Sequence, residues 1–433
     1  MYRRFFRELE QWENDNTKEP LLVTGARQVG KTWLIKSFCE QTYDDYVYLN
    51  LEEQPAVASL FEGDLVPEQL IRNIGILLGR SITSDTAIFI DEIQQSERAV
   101  NSLKYFCEAQ ENYRIIGAGS LLGVKIRRFE TSFPVGKVYV KTMYPMDIEE
   151  FMLACGEDKL VDAIRDAFDG RRALPEAIHE KALKIYHDYL IVGGMPQVVA
   201  DFVAKGKDVM SFNHELLDYI SLAYRADMSK YVSNVFESSK ITAVYDSIPR
   251  QLARDNPKFK YSEIRTTANK RDYYAPIDWL DASGLICKIN RLDHVRLPLK
   301  AYENKDSFKI YMSDVGLLCR TVRIRPGDLM SDNDNIYKGA VIENYVFEQL
   351  MARSCEMYYY KPSESMEIDM IMNINGDIIP VEIKSGRHKR SQSLKNYVNE
   401  NEPAYSVRIA ENNFGEAGGI LAVPLYAVFC LGS

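Results

Sequence analysis

Long apolar runs are missing from these 433 residues. None approaches the roughly 18 positions that a membrane-crossing helix needs. The start, Met1-Tyr2-Arg3-Arg4-Phe5-Phe6-Arg7-Glu8, lacks the uncharged stretch of a signal peptide. Paired cysteines are absent too: seven are scattered singly, with no C-x-x-C, which speaks against a disulfide framework and leads us to expect a reducing cytoplasm and no membrane. Five histidines, none at metal-ligand spacing, argue against a zinc site. Positive charge is in deficit, 53 Lys and Arg against 62 Asp and Glu, or −9. An acidic whole excludes a chain-wide electrostatic grip on nucleic acid or an anionic membrane, while leaving room for local basic patches. What the chain has is apolar content, 46%, enough for large cores and for two to four domains of roughly 150 residues.

An amphipathic helical pattern over 1–19 leads into Pro20-Leu21-Leu22-Val23-Thr24, which reads as a buried strand. Then comes Gly25-Ala26-Arg27-Gln28-Val29-Gly30-Lys31-Thr32, a complete G-x-x-x-x-G-K-[ST] phosphate loop. Glycines let the backbone curl so that successive N–H groups face phosphate oxygens. Lys31 is expected to reach the β- and γ-phosphates of ATP, and the Thr32 hydroxyl to ligate Mg²⁺. The helix from Trp33 to Glu40 aims its positive N-terminus at the anion.

Ala87-Ile88-Phe89-Ile90-Asp91-Glu92 supplies the partner motif. Four apolar residues predict a buried parallel strand, with Asp91 emerging where ligands sit in open α/β sheets. Asp91 can hold the Mg²⁺ water shell, and Glu92 can polarise the attacking water. Strands are expected at 46–51 and 113–118. Ser120, after the second, reads as a γ-phosphate or water contact or as a helix N-cap before Leu121-Leu122, and the two roles are compatible.

From Gly156 to Ser239 the patterns are helical, a block fit to form a lid, broken by Gly193-Gly194-Met195-Pro196. Residues 240–325 read as helices at 240–254, 261–268 and 273–283, then strands at 285–289 and 308–312, a winged-helix pattern. Its third helix has two aspartates, no Lys or Arg, and suits a DNA groove poorly. The stretch 250–271 is basic, with seven Lys and Arg against Asp255 and Glu263, and either touches DNA or packs against protein.

Turn-rich 326–335 marks a boundary. A helix over Tyr337–Arg353 carries Glu343. A strand at 366–372 carries Asp369, Asn375-Gly376 signals a hairpin, and the return strand carries Glu382-Ile383-Lys384. Glu382 and Lys384 share a strand face. Three carboxylates, Glu343, Asp369 and Glu382, with Lys384 suit Mg²⁺-assisted attack on a phosphodiester. The plain alternative is a charge pair across a sheet. Arg387, Lys389, Arg390 and Lys395 follow as a phosphate-contacting patch or a solvated helix face.

Residues 20–150 resemble the ATPase core of the AAA+ superfamily, in the additional-strand catalytic-glutamate group. Tyr144-Pro145-Met146-Asp147-Ile148-Glu149-Glu150-Phe151, Gly193-Gly194-Met195-Pro196 and the C-terminal motifs resemble a family of prokaryotic AAA+ ATPases with a C-terminal domain of unknown function related to PD-(D/E)XK nucleases. The likeness spans essentially the whole chain. It implies an α/β protein: a P-loop AAA+ core (1–155), a helical lid (156–239), a winged-helix-like middle (240–325) and a restriction-endonuclease-like α/β end (326–433). Where many relatives have Gly-Arg, this chain has Gly136-Lys137; Arg127 and Arg128 are the nearby candidates for an arginine finger, or else an exposed basic turn.

The expected nucleotide-binding set is Gly25 through Trp33 with Asp91 and Ser120, and the expected catalytic groups are Lys31, Glu92, Asp369, Glu382 and Lys384. Metal is expected at Thr32 and Asp91, and at Glu343, Asp369 and Glu382. Two readings stay open. One is an ATPase coupled to a nuclease-like module acting on DNA. The other is an ATP-driven switch or scaffold for a protein partner, whose C-terminal domain does not cut. A homo-oligomer is compatible with both.

Overall fold

The computed structural model describes every residue except 16, 129–132, 231–234, 255–257, 331–335, 364–365, 387–391 and 433. The chain forms two compact units: Tyr2–Tyr144 with Ala282–Gly284, and Pro145–Asp281 with Leu285–Ser433.

The first unit is built on a five-stranded parallel sheet of β1 (Leu21–Thr24), β2 (Tyr46–Asn50), β3 (Ala87–Asp91), β4 (Ile115–Ala118) and β5 (Tyr139–Thr142), in the order β2-β3-β4-β1-β5. β1, β3 and β4 are buried at every position, as parallel strands covered on both faces must be. Each fully buried Phe or Ile contributes roughly 1.5–3 kcal/mol. β4 lies between the phosphate-loop strand and the strand ending in Asp91, so it is the additional strand that the resemblance implies. The edge strand β5 is exposed throughout, which is why no apolar run announced it. Helix Glu97–Glu108 starts where Ser96 accepts from the Ala99 N–H.

The second unit holds an eight-stranded mixed sheet. Its strands are β6 (Ile286–Leu292), β7 (Glu303–Met312), β8 (Met357–Ser363), β9 (Met366–Ile374), β10 (Asp377–Ile383), β11 (Ser406–Ala410), β12 (Gly415–Ala417) and β13 (Ile420–Pro424). Their order is β12-β13-β11-β10-β9-β8-β6-β7. The β9–β10 hairpin turns at Asn375-Gly376 with φ of 53° and 92°, the two positive values a type I′ turn requires. The expected wing strands are β6 and β7. They do not stand apart, because β6 pairs in parallel with β8 and extends the C-terminal sheet.

The expected helix at 261–268 is a single 3-10 turn, Tyr261–Glu263. Thr266 and Thr267 lose side-chain freedom in a helix, and nothing in the apolar pattern compensates. The expected third helix is Lys270–Ala282, with Tyr273, Ile277, Trp279 and Leu280 buried, so it is a core helix.

Residues 145–239 belong to the same compact unit as this sheet, and the two quoted motifs form the joint. Met146 N–H donates to Gly194 O at 2.7 Å, and Gly194 N–H to Asp314 Oδ2 at 2.7 Å. Arg353, almost wholly buried, pairs with Asp147 at 2.8 Å and Glu149 at 2.5 Å. Gln349 Nε2 donates to Tyr189 Oη at 2.9 Å. All seven cysteines are free. Among the described residues no helix is long and apolar enough to cross a membrane.

Candidate functional sites

The phosphate loop joins β1 to helix Lys31–Thr42. A Cβ at Gly25 would lie 2.1 Å from Met143 O, so no larger residue fits there. Lys31 is buried and its ammonium donates to Gly25 O and Ala26 O, both at 2.8 Å, folding back over the loop that it would leave to meet phosphate. Thr32 Oγ1 donates to Asp91 Oδ2 at 2.7 Å. The two groups expected at one Mg²⁺ are thus in direct contact. Tyr48 Oη also donates to Asp91 Oδ2, at 3.2 Å.

Glu92 follows in the left-handed region, φ 49°, a backbone conformation costing about 1–3 kcal/mol in a non-glycine residue. Burial raises its carboxyl above the ordinary range; the Gln94 amide, hydrogen-bonded to it, pulls the other way, and the Asp91 charge adds to the rise. Gln94 is 0% exposed, and its Oε1 has no partner. Ser120 Oγ is also buried without a hydrogen-bond partner, which favours the ligand-contact reading over the N-cap reading. Lys31, the Thr32–Asp91 contact and the Ser120 hydroxyl left without a protein partner are a set that fits a nucleotide with Mg²⁺.

Sequence reasoning missed three residues here. Gln94 lies two places past the acidic pair. Gly119 makes room for it, since a Cβ there would sit 1.7 Å from Gln94 Oε1. Arg3 is 4% exposed and donates to Val29 O and Tyr144 O, both at 2.7 Å, pinning the loop from the N-terminal segment. A buried arginine among Arg3, Arg4 and Arg7 carries no sequence signal. Trp33 points outward, 55% exposed. Lys137 pairs with Glu108 at 3.3 Å on the surface. The side chains of Arg127 and Arg128 lie outside the described residues.

In the second unit, Glu343 and Asp369 meet around a lysine that the sequence did not point to. Lys309, on β7, is 2% exposed and stands 2.9 Å from Glu343 Oε1 and 2.8 Å from Glu367 Oε1. Tyr311 Oη donates to Glu343 Oε1 at 2.6 Å. Burial would lower the Lys309 ammonium, but Glu343, Glu367 and Asp369 more than offset this and drive it far up. Asp369 is raised by burial and by Glu343, against Lys309, Lys384 and the Ile383 N–H that donates to its Oδ2 at 2.8 Å. Burial works to raise Glu367 too, yet Lys309 and Lys361 bring it below the ordinary range.

Glu382 pairs with Lys384 at 2.5 Å, and its buried Oε2 has no partner. Among the described residues no group of three or more His, Cys, Asp or Glu side chains is placed to hold a metal ion. Lys309 pairs with Glu343, Lys384 pairs with Glu382, and both ammonium groups act on Asp369, so the expected carboxylates stand around two lysines as the side chains lie. The signals for the missing members were slight. Glu367 sits two residues before Asp369, on the same strand face, and Lys309 is a lone cation within Phe308-Lys309-Ile310.

Arg387, Lys389 and Arg390 lie outside the described residues, and Lys395 is exposed on helix Gln392–Asn401. In the basic stretch, Arg254 pairs with Glu263 and Lys270 with Asp306.

The parallel sheet, with its loop, Lys31, Thr32, Asp91 and Glu92, defines a P-loop nucleotide-binding domain. Residues 17–152 match the family model of an AAA domain. This part of the chain is an AAA domain of the P-loop ATPase type, a class that binds nucleotide, usually with Mg²⁺, and hydrolyses ATP. Residues 183–328 match a domain of unknown function (DUF8612), and 338–428 match another (DUF4143). No curated protein matches the chain. Among solved structures, a Walker-type ATPase of Pyrococcus abyssi is 15% identical over 73% of this chain and 94% of its own, with a TM-score of 0.45. The ORC2 protein of Aeropyrum pernix is 11% identical over 76% and 93%, at 0.36. The Thermotoga maritima RuvB Holliday junction branch migration motor is 13% identical over 66% and 89%, at 0.31.

Proposed function

We propose that the chain is a Mg²⁺-dependent ATPase whose nucleotide cycle drives a PD-(D/E)XK-like C-terminal module that engages nucleic acid. The observation that carries the engine is the Thr32–Asp91 contact with Glu92 beside it. Gly25–Trp33 and Ser120 would cradle the triphosphate, and Thr32 and Asp91 would hold Mg²⁺, which supplies charge neutralisation at the phosphates when bound. Lys31 would trade its loop carbonyls for phosphate oxygens. Glu92, its basicity raised by burial and steadied by Gln94, would take the proton from the attacking water.

Asp369, Glu382 and Lys384 support the nuclease-like reading of the C-terminal fold, to whose sheet the 240–325 stretch adds β6 and β7. Lys309 among Glu343, Glu367 and Asp369 favours a module that holds nucleic acid without cutting it. That same observation supports the non-cutting part of the second reading, an ATP-driven switch or scaffold for a protein partner.

The test is the ATPase rate with and without single- or double-stranded DNA, beside a cleavage assay in Mg²⁺ and Mn²⁺. DNA-stimulated hydrolysis without cleavage is the expected result. Cleavage lost in Asp369→Asn would restore metal chemistry to the site. A rate indifferent to both DNAs would leave the protein-partner switch.

A further inference from the structure

We infer that a cavity walled by β6, β7 and β8 is a phosphodiester-binding cradle, through which the C-terminal module grips a nucleic-acid backbone without a metal ion. The inference rests on the nucleic-acid reading above and adds the place and the residues. The cavity measures about 280 Å³ and is lined by Lys258, Arg291, Lys361, Ser307 and Tyr359. Liquid water occupies roughly 30 Å³ per molecule, so a tetrahedral oxyanion fits with room for its ester substituents.

Each cation is fixed by the sheet. Arg291 sits where the β6–β7 register slips, between Asn290 and Arg291, a bulge of the kind that re-aims a side chain. Its neighbour across the parallel join is Tyr359. Lys258 is followed by Phe259, whose N–H donates to Phe308 O at 2.9 Å and whose ring stacks on Phe308 at 5.4 Å. Ser307 Oγ and Tyr359 Oη lie 2.9 Å apart, two hydroxyls side by side in the wall.

Arg291 and Lys361 each have an acid partner. Asp293 pairs with Arg291 Nη2 at 2.9 Å. Glu367 is shared between Lys361 at 3.3 Å and Lys309 at 2.8 Å, so Lys309 offsets part of its negative charge. Arg291 Nε is buried with no hydrogen-bond partner, a donor left over after the protein's own acceptors are used. Two ammonium groups, a guanidinium and the one hydroxyl proton that the Ser307–Tyr359 bond leaves over form a donor set suited to phosphate oxygens. β8 continues through β9 to β10, so a strand held in the cradle would share a sheet with Asp369, Glu382 and Lys384.

The test uses the full chain, without nucleotide and in EDTA, with a labelled single strand and a labelled duplex read by fluorescence anisotropy across a salt series. Lys258→Gln with Arg291→Gln leaves the Lys309–Glu367–Lys361 network in place. It should weaken binding about tenfold or more and flatten the slope of log K against log salt by roughly 1.4–1.8, two contacts at about 0.7–0.9 each. Tyr359→Phe keeps the ring and removes one hydroxyl; it should weaken binding less and leave the salt slope alone, with a modest drop in thermal midpoint from the lost Ser307 bond. If the double variant does not fold, Tyr359→Phe decides by itself, and wild-type affinity there overturns the cradle. Binding by the folded double variant equal to wild type in affinity and slope overturns the cradle and leaves the nucleic-acid reading standing. No binding of either oligonucleotide by the wild type overturns both.

Discussion

The ammonium of Lys309 stands 2.9 Å from a carboxylate oxygen of Glu343, across a join that divides two matched domains of unknown function. Lys309 belongs to the first match and Glu343 to the second. The contact makes the strand β7 part of the C-terminal site.

Lys309→Met should expose this dependence. It leaves Glu343, Glu367 and Asp369 without their shared cation, and breaking such a buried pair costs about 3–5 kcal/mol. Without the lysine, Asp369 and Glu367 lose the cation that opposes their burial and bind protons more tightly in the folded chain than in the unfolded one, so stability falls as pH rises. Urea melts should show a small deficit near pH 5 and a larger one at pH 8. Mn²⁺ should raise the thermal midpoint of the variant and not that of the wild type. A deficit that does not change with pH would remove Lys309 from this role.

Glu92→Gln should bind ATP and hydrolyse it about 10²–10⁴-fold more slowly. Burial raises the Glu92 carboxyl, and a base must be ionised to act. The wild-type kcat should therefore fall, as pH drops, at a pH above the usual Glu value of about 4.3. That acid limb should vanish from the residual activity of the variant. An unchanged limb would assign it to another group.

Gly119→Ala tests whether Gln94 holds Glu92 in place. The added methyl would overlap Gln94 Oε1, so the amide must move. A misplacement of about 1 Å can cost about a hundredfold in rate, with nucleotide affinity kept. Single-turnover hydrolysis beside binding of a non-hydrolysable analogue separates the two. Equal losses in both would mean that the loop itself had shifted.

Arg3→Ala should act on binding. It removes two charge-assisted bonds, to Val29 O and Tyr144 O, each worth roughly 1.5–3 kcal/mol. We expect a KM for ATP raised about tenfold or more and a lower thermal midpoint. Arg3→Lys should recover only part, because one ammonium lacks the spread of the guanidinium. A KM unchanged in Arg3→Ala would free the loop from this anchor.

The phosphate loop and Asp91-Glu92 were legible because their chemistry demands fixed spacing along one stretch of chain. The hairpin was legible because Asn-Gly is among the few pairs that adopt two positive φ values readily. Lys309, Gln94 and Arg3 were not, since each acts through a fold that brings distant segments together. A lysine in an apolar strand looks the same in sequence whether it lines a surface or neutralises buried carboxylates. The wing was visible as two strands, but pairing of β6 with β8 depends on edge geometry that no local pattern records.

That join between β6 and β8 has a consequence for how such a chain can be inherited. A piece beginning near residue 336 would carry Glu343, Glu367 and Asp369 without Lys309, and would leave the backbone of β8 unpaired on the side that β6 covers. Uncovered strand edges invite association with other chains. Recombination at the turn-rich 326–335 segment would therefore yield an insoluble half. Since Asp147 and Glu149 pair with the buried Arg353, a transferable block would have to begin near residue 145 and not at β6.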